Sequence, residues 1–224
     1  MIGMTDLPED PTLDEIRDAL IPLVARHAAF DGWRDAAVEM AAREAGVDAD
    51  IARLAFKGGA VAMIDTWFAS IDRAMLDALP AGRLAAMSIR ARIAALVEAR
   101  LTLLKPDREA LRRATAILAM PRNMARAAAL GWRAADVMWR AAGDAATDYN
   151  HYTKRATLAA VYAATLMTFM DDDSDDHVDT RAFLARRIEG VMRFEKAKAR
   201  LTGANGGERL SLARFVGRLR YPAI

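Results

Sequence analysis

The sequence predicts an all-α protein. Apolar residues recur at spacings of three and four along almost the whole chain of 224 residues, which is the period of an amphipathic helix. No stretch shows the sustained polar and apolar alternation of a half-buried strand. Hydrophobic residues make up 54% of the chain and charged residues 28%, a balance typical of globular proteins.

Three N-terminal helices predict a helix-turn-helix over residues 12–57. The first runs to Phe30 and contains Pro22, which we expect to kink it. Gly46 is expected to end the second helix in a left-handed conformation, and Asp48 to cap the third. The segment resembles the start of TetR-type repressors at Ala42, Gly46, Val47, Ile51 and Phe56. In that family the third helix enters the major groove of DNA.

The charge of this segment argues against DNA binding. Residues 12–60 carry nine acidic and six basic residues, so their net charge is −3. Arg53 and Gly59 stand where the repressors usually have a phosphate-contacting Tyr and Lys. Because phosphate neutralisation supplies most non-specific affinity for DNA, we expect no specific DNA binding. A ligand-responsive TetR-type transcriptional regulator remains the alternative interpretation.

Residues 58–202 are predicted to form a longer helical bundle. The expected helices cover residues 60–79, 84–104, 107–119, 123–130, 132–142, 148–170 and 180–201. The acidic stretch 171–179 is interpreted as a solvated loop that helps to start the last of them. A calcium loop of the EF-hand type is disfavoured, since it needs a Gly and a Glu that are absent at its sixth and twelfth positions.

The residues that usually carry catalysis are scarce. The chain has no cysteine, and its three histidines, His27, His151 and His177, form no metal-binding pair at helical spacing. We find no glycine-rich phosphate loop and no nucleophile motif. The sequence therefore predicts a protein that is not an enzyme and that uses neither a cofactor nor a metal.

A dense polar and aromatic cluster extends from Asp136 to Asp144 and from Thr147 to Arg155. One interpretation is that it only joins two helices at their corner, with Asp148 as a cap and Lys154 or Arg155 paired locally. The other is a binding surface beside an apolar cavity. The cluster resembles the coenzyme Q (ubiquinone) biosynthesis lipid-binding family, whose members have a TetR-like fold. The resemblance is most specific over about residues 119–190, although His151 stands where many members have Trp.

This resemblance implies a non-catalytic accessory protein that holds an isoprenoid or other lipid. It would present a quinone intermediate to the demethoxyubiquinone hydroxylase at the membrane. The implied hydroxylase-binding patch lies on the helix that contains Asp136, Met138, Trp139 and Arg140. Asp136 and Trp139 share one face of that helix, and Arg140 could pair with the acid. The alternative is that Trp139 turns inward to the core.

A lipid cavity is expected between the helices around 60–79 and 148–170. Its expected wall residues are Met63, Trp67, Tyr162, Leu166 and Met167. Methionines recur on several helices, and their flexible side chains suit an irregular apolar ligand.

The C-terminal segment 208–220 predicts a short basic amphipathic helix with a net charge of +3. Its apolar stripe comprises Leu212, Phe215, Val216 and Leu219, with Arg214 and Arg218 on the opposite side. Such a helix can lie in an anionic membrane surface, or dock on its own domain or a twin subunit. The longest apolar run, residues 158–170, is shorter than the roughly 20 residues of a membrane span.

The N-terminal residues contain no secretory or mitochondrial targeting pattern. We therefore expect a bacterial cytoplasmic protein that associates peripherally with the inner membrane. We also expect the protein to form a homodimer.

Overall fold

The computed structural model describes residue 8, residues 10–144 and residues 149–203. Within these residues the chain forms ten α-helices and three short 3-10 turns, and no β-strand occurs in that part of the chain. The predicted all-α class is therefore confirmed. The chain divides into two compact units, residues 1–185 and 186–224. The interior cavity and the contacts between α8 and α9 lie in the first unit.

The first three helices follow the predicted helix-turn-helix pattern. They are α1 (Leu13–Asp31), α2 (Asp35–Ala45) and α3 (Ala49–Ala55). Gly46 ends α2 at φ +69°, and the side chain of Asp48 accepts the backbone N–H groups of Asp50 and Ile51. Both predicted caps are confirmed. Helix α1 continues without interruption through Pro22.

Four helices follow in the middle of the chain: α4 (Gly59–Ala78), α5 (Ala81–Ala85), α6 (Ile89–Leu104) and α7 (Arg108–Leu118). The prediction of one helix over 84–104 is wrong, because Ser88 interrupts it. Its backbone is extended and its hydroxyl accepts the N–H of Ala91, so that it caps α6.

The remaining helices are α8 (Met124–Ala141), α9 (Tyr149–Asp171) and α10 (Val178–Gly203). The predicted break near Gly131 is wrong, since α8 passes through this glycine. A glycine in a helix interior costs only about 1 kcal/mol, which packing against a neighbouring helix can offset. Helix α8 packs along α9, and this pair contacts α4, α6 and α7. A space between these five helices forms the candidate site.

The acidic loop ends in a tight cap at the start of α10. The buried carboxylate of Asp172 accepts backbone N–H groups from Ser174 at 2.9 Å and Thr180 at 2.8 Å, and both hydroxyls at 2.5 Å. Burial alone would raise the pKa of Asp172, but these hydrogen bonds lower it below its usual range. The loop therefore helps to start the next helix, as predicted.

Candidate functional site: an interior cavity and the α8–α9 corner

A cavity of about 490 Å³ lies between α4, α6, α7, α8 and α9. This volume is within the roughly 300–1,000 Å³ typical of ligand sites. Its wall is mostly apolar and rich in small residues, among them Ala127, Gly131, Ala134, Ala159 and Ala163. Because small side chains on α8 and α9 face each other here, the two helices leave space that larger residues would fill.

One part of the cavity wall is polar. Arg100 of α6 forms an ion pair with Asp72 of α4, and its Nε donates a hydrogen bond to the Tyr162 hydroxyl of α9 at 3.0 Å. Arg100 is 1% exposed and Asp72 6%. Burial alone would lower the pKa of Arg100, but Tyr162 and Asp72 raise it, so the guanidinium stays charged.

Two methionines mark the side on which the cavity meets solvent. Met124 at the start of α8 and Met167 on α9 both line the cavity, and they are 62% and 58% exposed. Ala163, one turn before Met167, also lines the cavity and is exposed. An apolar molecule could therefore reach the cavity from this side without passing through the core.

The five residues predicted to bind lipid fall into two groups. Tyr162, Leu166 and Met167 line the cavity. Met63 and Trp67 are buried on α4 but are absent from the cavity wall; Trp67 packs against Trp33 and Phe68 at ring distances of 5.1 and 5.3 Å. Lipid contact by these residues stays a prediction.

The second polar group is the α8–α9 corner, which we define as Asp136, Trp139, Asp144, Lys154 and Arg155. Arg155 is 1% exposed and its guanidinium lies between the two acids, with Nε 2.5 Å from Asp136 and Nη1 3.1 Å from Asp144. Lys154 also reaches Asp144, at 2.7 Å. Burial alone would raise the pKa of Asp144, but the hydrogen bonds and charges of Lys154 and Arg155 lower it.

The predicted hydroxylase-binding residues differ in accessibility. Met138 is fully buried, so it can support this surface but its side chain is not part of it. Trp139 is half-buried: its Nε1 donates to the Lys154 carbonyl oxygen at 3.0 Å, and the Lys154 Nζ lies 5.3 Å from the indole centre. Arg140 is exposed and pairs with Asp136 at 2.8 Å, as expected from their spacing. Docking through these residues stays a prediction.

Sequence reasoning missed Arg100 and Asp72 as parts of the cavity. A signal was present, since Arg100 lies on the buried stripe of α6 that otherwise holds Ile93, Leu96, Val97, Leu101 and Leu104. A charged residue on such a stripe is seldom buried without a partner. Asp72 shows the same pattern on α4, between the buried residues Ile71 and Met75.

The predicted membrane-contacting residues, Leu212, Arg214, Phe215, Val216, Arg218 and Leu219, lie outside the described residues. None of the described helices is both long and apolar enough to cross a membrane. Over the same described residues, no group of three or more His, Asp or Glu is placed to hold a metal ion.

These features define a helical protein with an interior apolar cavity on a TetR-like scaffold. The structure is similar to the TetR transcriptional regulator from Nitrosomonas europaea, with a TM-score of 0.63 and 25% identity, covering 78% of this chain and 96% of that one. Residues 124–195 match the COQ9 family model. The predicted resemblance to the COQ9 ubiquinone biosynthesis family, with its TetR-like fold, is thereby confirmed.

Individual relatives that match this chain are also named as COQ9 proteins. The human "Ubiquinone biosynthesis protein COQ9, mitochondrial" is 44% identical over 96 residues, which are 43% of this chain and 30% of that protein. The Drosophila melanogaster protein of the same name is 23% identical over 205 residues, or 90% of this chain and 63% of that protein. The chain thus matches under a third of the human relative's length.

The expected bacterial cytoplasmic location at the inner membrane is contradicted by these relatives. The human, rat, Drosophila and Dictyostelium proteins are all named as mitochondrial, and all come from eukaryotes. The expectation rested on the missing targeting pattern at the N-terminus of the sequence, which is weak ground because the match covers only part of each relative.

Proposed function

We propose that this protein is a non-catalytic lipid-binding accessory protein of ubiquinone biosynthesis. In this proposal it holds a quinone intermediate in the cavity and presents it to the demethoxyubiquinone hydroxylase at a membrane. The main support for the proposal is the apolar cavity. The parts of its wall that α8 and α9 provide lie in the region that matches the COQ9 family model.

The cavity suits a lipid in both chemistry and access. Burial of apolar surface stabilises a complex by about 25 cal/mol for each Å² removed from water, and this wall is mostly apolar. Met124 and Met167 stand at the opening, where their unbranched side chains can adapt to a flexible chain. A long lipid could occupy the cavity and extend outward between them.

The polar groups on the wall support binding rather than catalysis. Arg100 and Asp72 are engaged with each other, and Arg100 also holds the Tyr162 hydroxyl. An arginine stays protonated under physiological conditions, so it orients a ligand but does not act as a general base.

The α8–α9 corner supports the docking part of the proposal. Arg140 is exposed beside the half-buried Trp139, and aromatic residues and arginines are enriched at the energetic centres of protein interfaces. The buried Arg155 fixes both helices beneath this surface through Asp136 and Asp144. A partner would therefore meet a preformed surface.

Native mass spectrometry of the purified protein tests the lipid part of the proposal. The wild-type protein should carry a co-purified isoprenoid lipid. In Ala163→Trp, an indole at an exposed position on the cavity wall should obstruct the opening and remove that lipid. Ala160→Trp is the matched control, since Ala160 is exposed on the same helix but does not line the cavity.

Retention of the lipid by Ala163→Trp at the level of Ala160→Trp would mean that the lipid binds elsewhere. Absence of any lipid, even after incubation of the wild-type protein with a ubiquinone of short tail, would contradict the proposal.

The similarity to a TetR regulator supports a second candidate, a ligand-responsive DNA-binding protein. The charges on α3 oppose it. Arg53 is the only basic residue of that helix, and it pairs with Glu39 at 3.0 Å and with Asp50. These acids raise the pKa of Arg53 and occupy its guanidinium, which leaves α3 without a free cation for phosphate.

A further inference from the structure

The polar part of the cavity wall contains an unused hydrogen-bond donor. The Tyr162 oxygen accepts a hydrogen bond from Arg100 Nε at 3.0 Å. Because a guanidinium can only donate, this bond leaves the phenolic proton of Tyr162 unengaged. No acceptor for that proton occurs among the described residues, although Tyr162 is 4% exposed and lines the cavity.

Two contacts with Arg100 fix the orientation of Tyr162. The Arg100 guanidinium carbon lies 5.0 Å from the centre of the Tyr162 ring, in addition to the hydrogen bond to the hydroxyl. Arg100 is in turn held by its ion pair with Asp72. The donor is therefore preorganised, which lowers the entropic cost of engaging a ligand.

The charge of this group selects the kind of ligand. Asp72 pairs with Arg100, and Arg133, whose Nε lies 3.4 Å from the second carboxylate oxygen of Asp72, is itself paired with Asp65. A phosphate or carboxylate head would have to displace Asp72 from Arg100 or be buried close to it, and an unpaired buried charge is strongly disfavoured. An uncharged head that carries an acceptor oxygen can bind without displacing Asp72 and without burying an unpaired charge.

We propose that the Tyr162 hydroxyl, oriented by Arg100, is the headgroup donor of the cavity and selects an uncharged lipid with a carbonyl or ether oxygen at its head. The tail of this lipid lies against the alanines and leucines of the remaining wall. A benzoquinone ring with an isoprenoid tail has this chemistry. The inference rests on the proposed function and adds the class of head that the cavity accepts.

Competitive displacement of the fluorescent hydrocarbon diphenylhexatriene tests this inference. Diphenylhexatriene has no polar head, so its affinity reports the apolar wall alone. Three competitors are compared: a ubiquinone with two isoprene units, the isoprenoid hydrocarbon farnesane, and palmitate. They are titrated against wild-type protein, Tyr162→Phe and Tyr152→Phe. Tyr152 is the matched control, because it lies on the same helix, is 61% exposed and does not line the cavity.

Tyr162→Phe should weaken ubiquinone binding about three- to tenfold, the range expected for one lost hydrogen bond to a neutral acceptor. Its affinities for diphenylhexatriene and farnesane should stay within about twofold of wild type, which also shows that the cavity is intact. Tyr152→Phe should match wild type with every ligand. Palmitate should compete more weakly than the ubiquinone.

Equal ubiquinone affinity of wild type and Tyr162→Phe would overturn the inference while leaving the lipid cavity standing. So would an equal loss of farnesane and ubiquinone, which would assign Tyr162 a packing role, or tighter binding of palmitate. Failure of the wild-type protein to bind diphenylhexatriene and ubiquinone would instead refute the proposed function, and the inference with it.

Discussion

Replacing Arg155 by methionine should loosen the α8–α9 corner. Methionine keeps an unbranched side chain but removes a charge that is 1% exposed and bonded to Asp136 at 2.5 Å and Asp144 at 3.1 Å. Loss of one partner from a buried ion pair costs about 3–5 kcal/mol. Asp136 keeps Arg140 and Asp144 keeps Lys154, so we expect the lower end, about 3 kcal/mol.

A free-energy loss of this size should lower the melting temperature by about 6–12 °C, at roughly 2–4 °C per kcal/mol for a chain of this length. Arg140→Met is the matched control, because Arg140 pairs with the same Asp136 at 2.8 Å but its side chain is 71% exposed. Exposed pairs contribute at most about 1 kcal/mol. Calorimetry and urea unfolding of both variants measure the difference. Equal losses for Arg155→Met and Arg140→Met would refute the assignment of Arg155 as the buried centre of the corner.

The same comparison has an expected pH dependence. The folded-state pKa of Asp144 is lowered by Lys154 and Arg155, so its pairing stabilises the fold at pH values above its unfolded pKa of about 3.9. That contribution is lost as the pH falls through the lower folded-state pKa. The stability gap between wild type and Arg155→Met should therefore be full near pH 7 and shrink in acid below about pH 4. A stability difference between wild type and Arg155→Met that grows in acid would contradict the predicted direction of this pH dependence.

Three further predictions concern surfaces. Arg140→Ala should weaken hydroxylase binding about tenfold or more in a pull-down titration with little loss of stability, whereas Arg193→Ala, which removes the exposed pair with Glu189 at the same spacing, should bind normally. Equal binding by both variants would remove Arg140 from the interface. Deletion of residues 208–220 should abolish flotation with anionic vesicles, and unchanged flotation would exclude this segment as the membrane contact. No sequence-selective retention of duplex DNA is expected, since Arg53 is paired with two acids; a selective, salt-resistant shift would favour the regulator instead.

Much of the fold could be predicted from the sequence because local signals and tertiary packing agree. Gly46 and Asp48 end and start helices for reasons contained in a few neighbouring residues. The two errors arose where the signals compete. Ser88 lies within the predicted helix 84–104 but caps α6, and Gly131 separates two predicted helices but lies inside α8.

The candidate site was only partly predictable. Leu166 and Met167 follow from the apolar period of α9, and both line the cavity. The pairing of Arg155 with Asp136 joins residues on two different helices, so periodicity along one helix could not show it. The distribution of polar groups over the cavity wall likewise depends on how α4, α6 and α9 meet.

Photocrosslinking shows whether a quinone lipid occupies the cavity between α4, α6, α7, α8 and α9. A ubiquinone analogue with a diazirine in its isoprenoid tail is irradiated with the protein, and the modified peptides are mapped by tandem mass spectrometry. If the cavity holds the lipid, labels should concentrate on wall residues such as Met124, Leu130, Ala163 and Met167, and excess unlabelled ubiquinone should suppress them. Labels confined to residues outside the cavity wall, or insensitive to that competitor, would contradict the account.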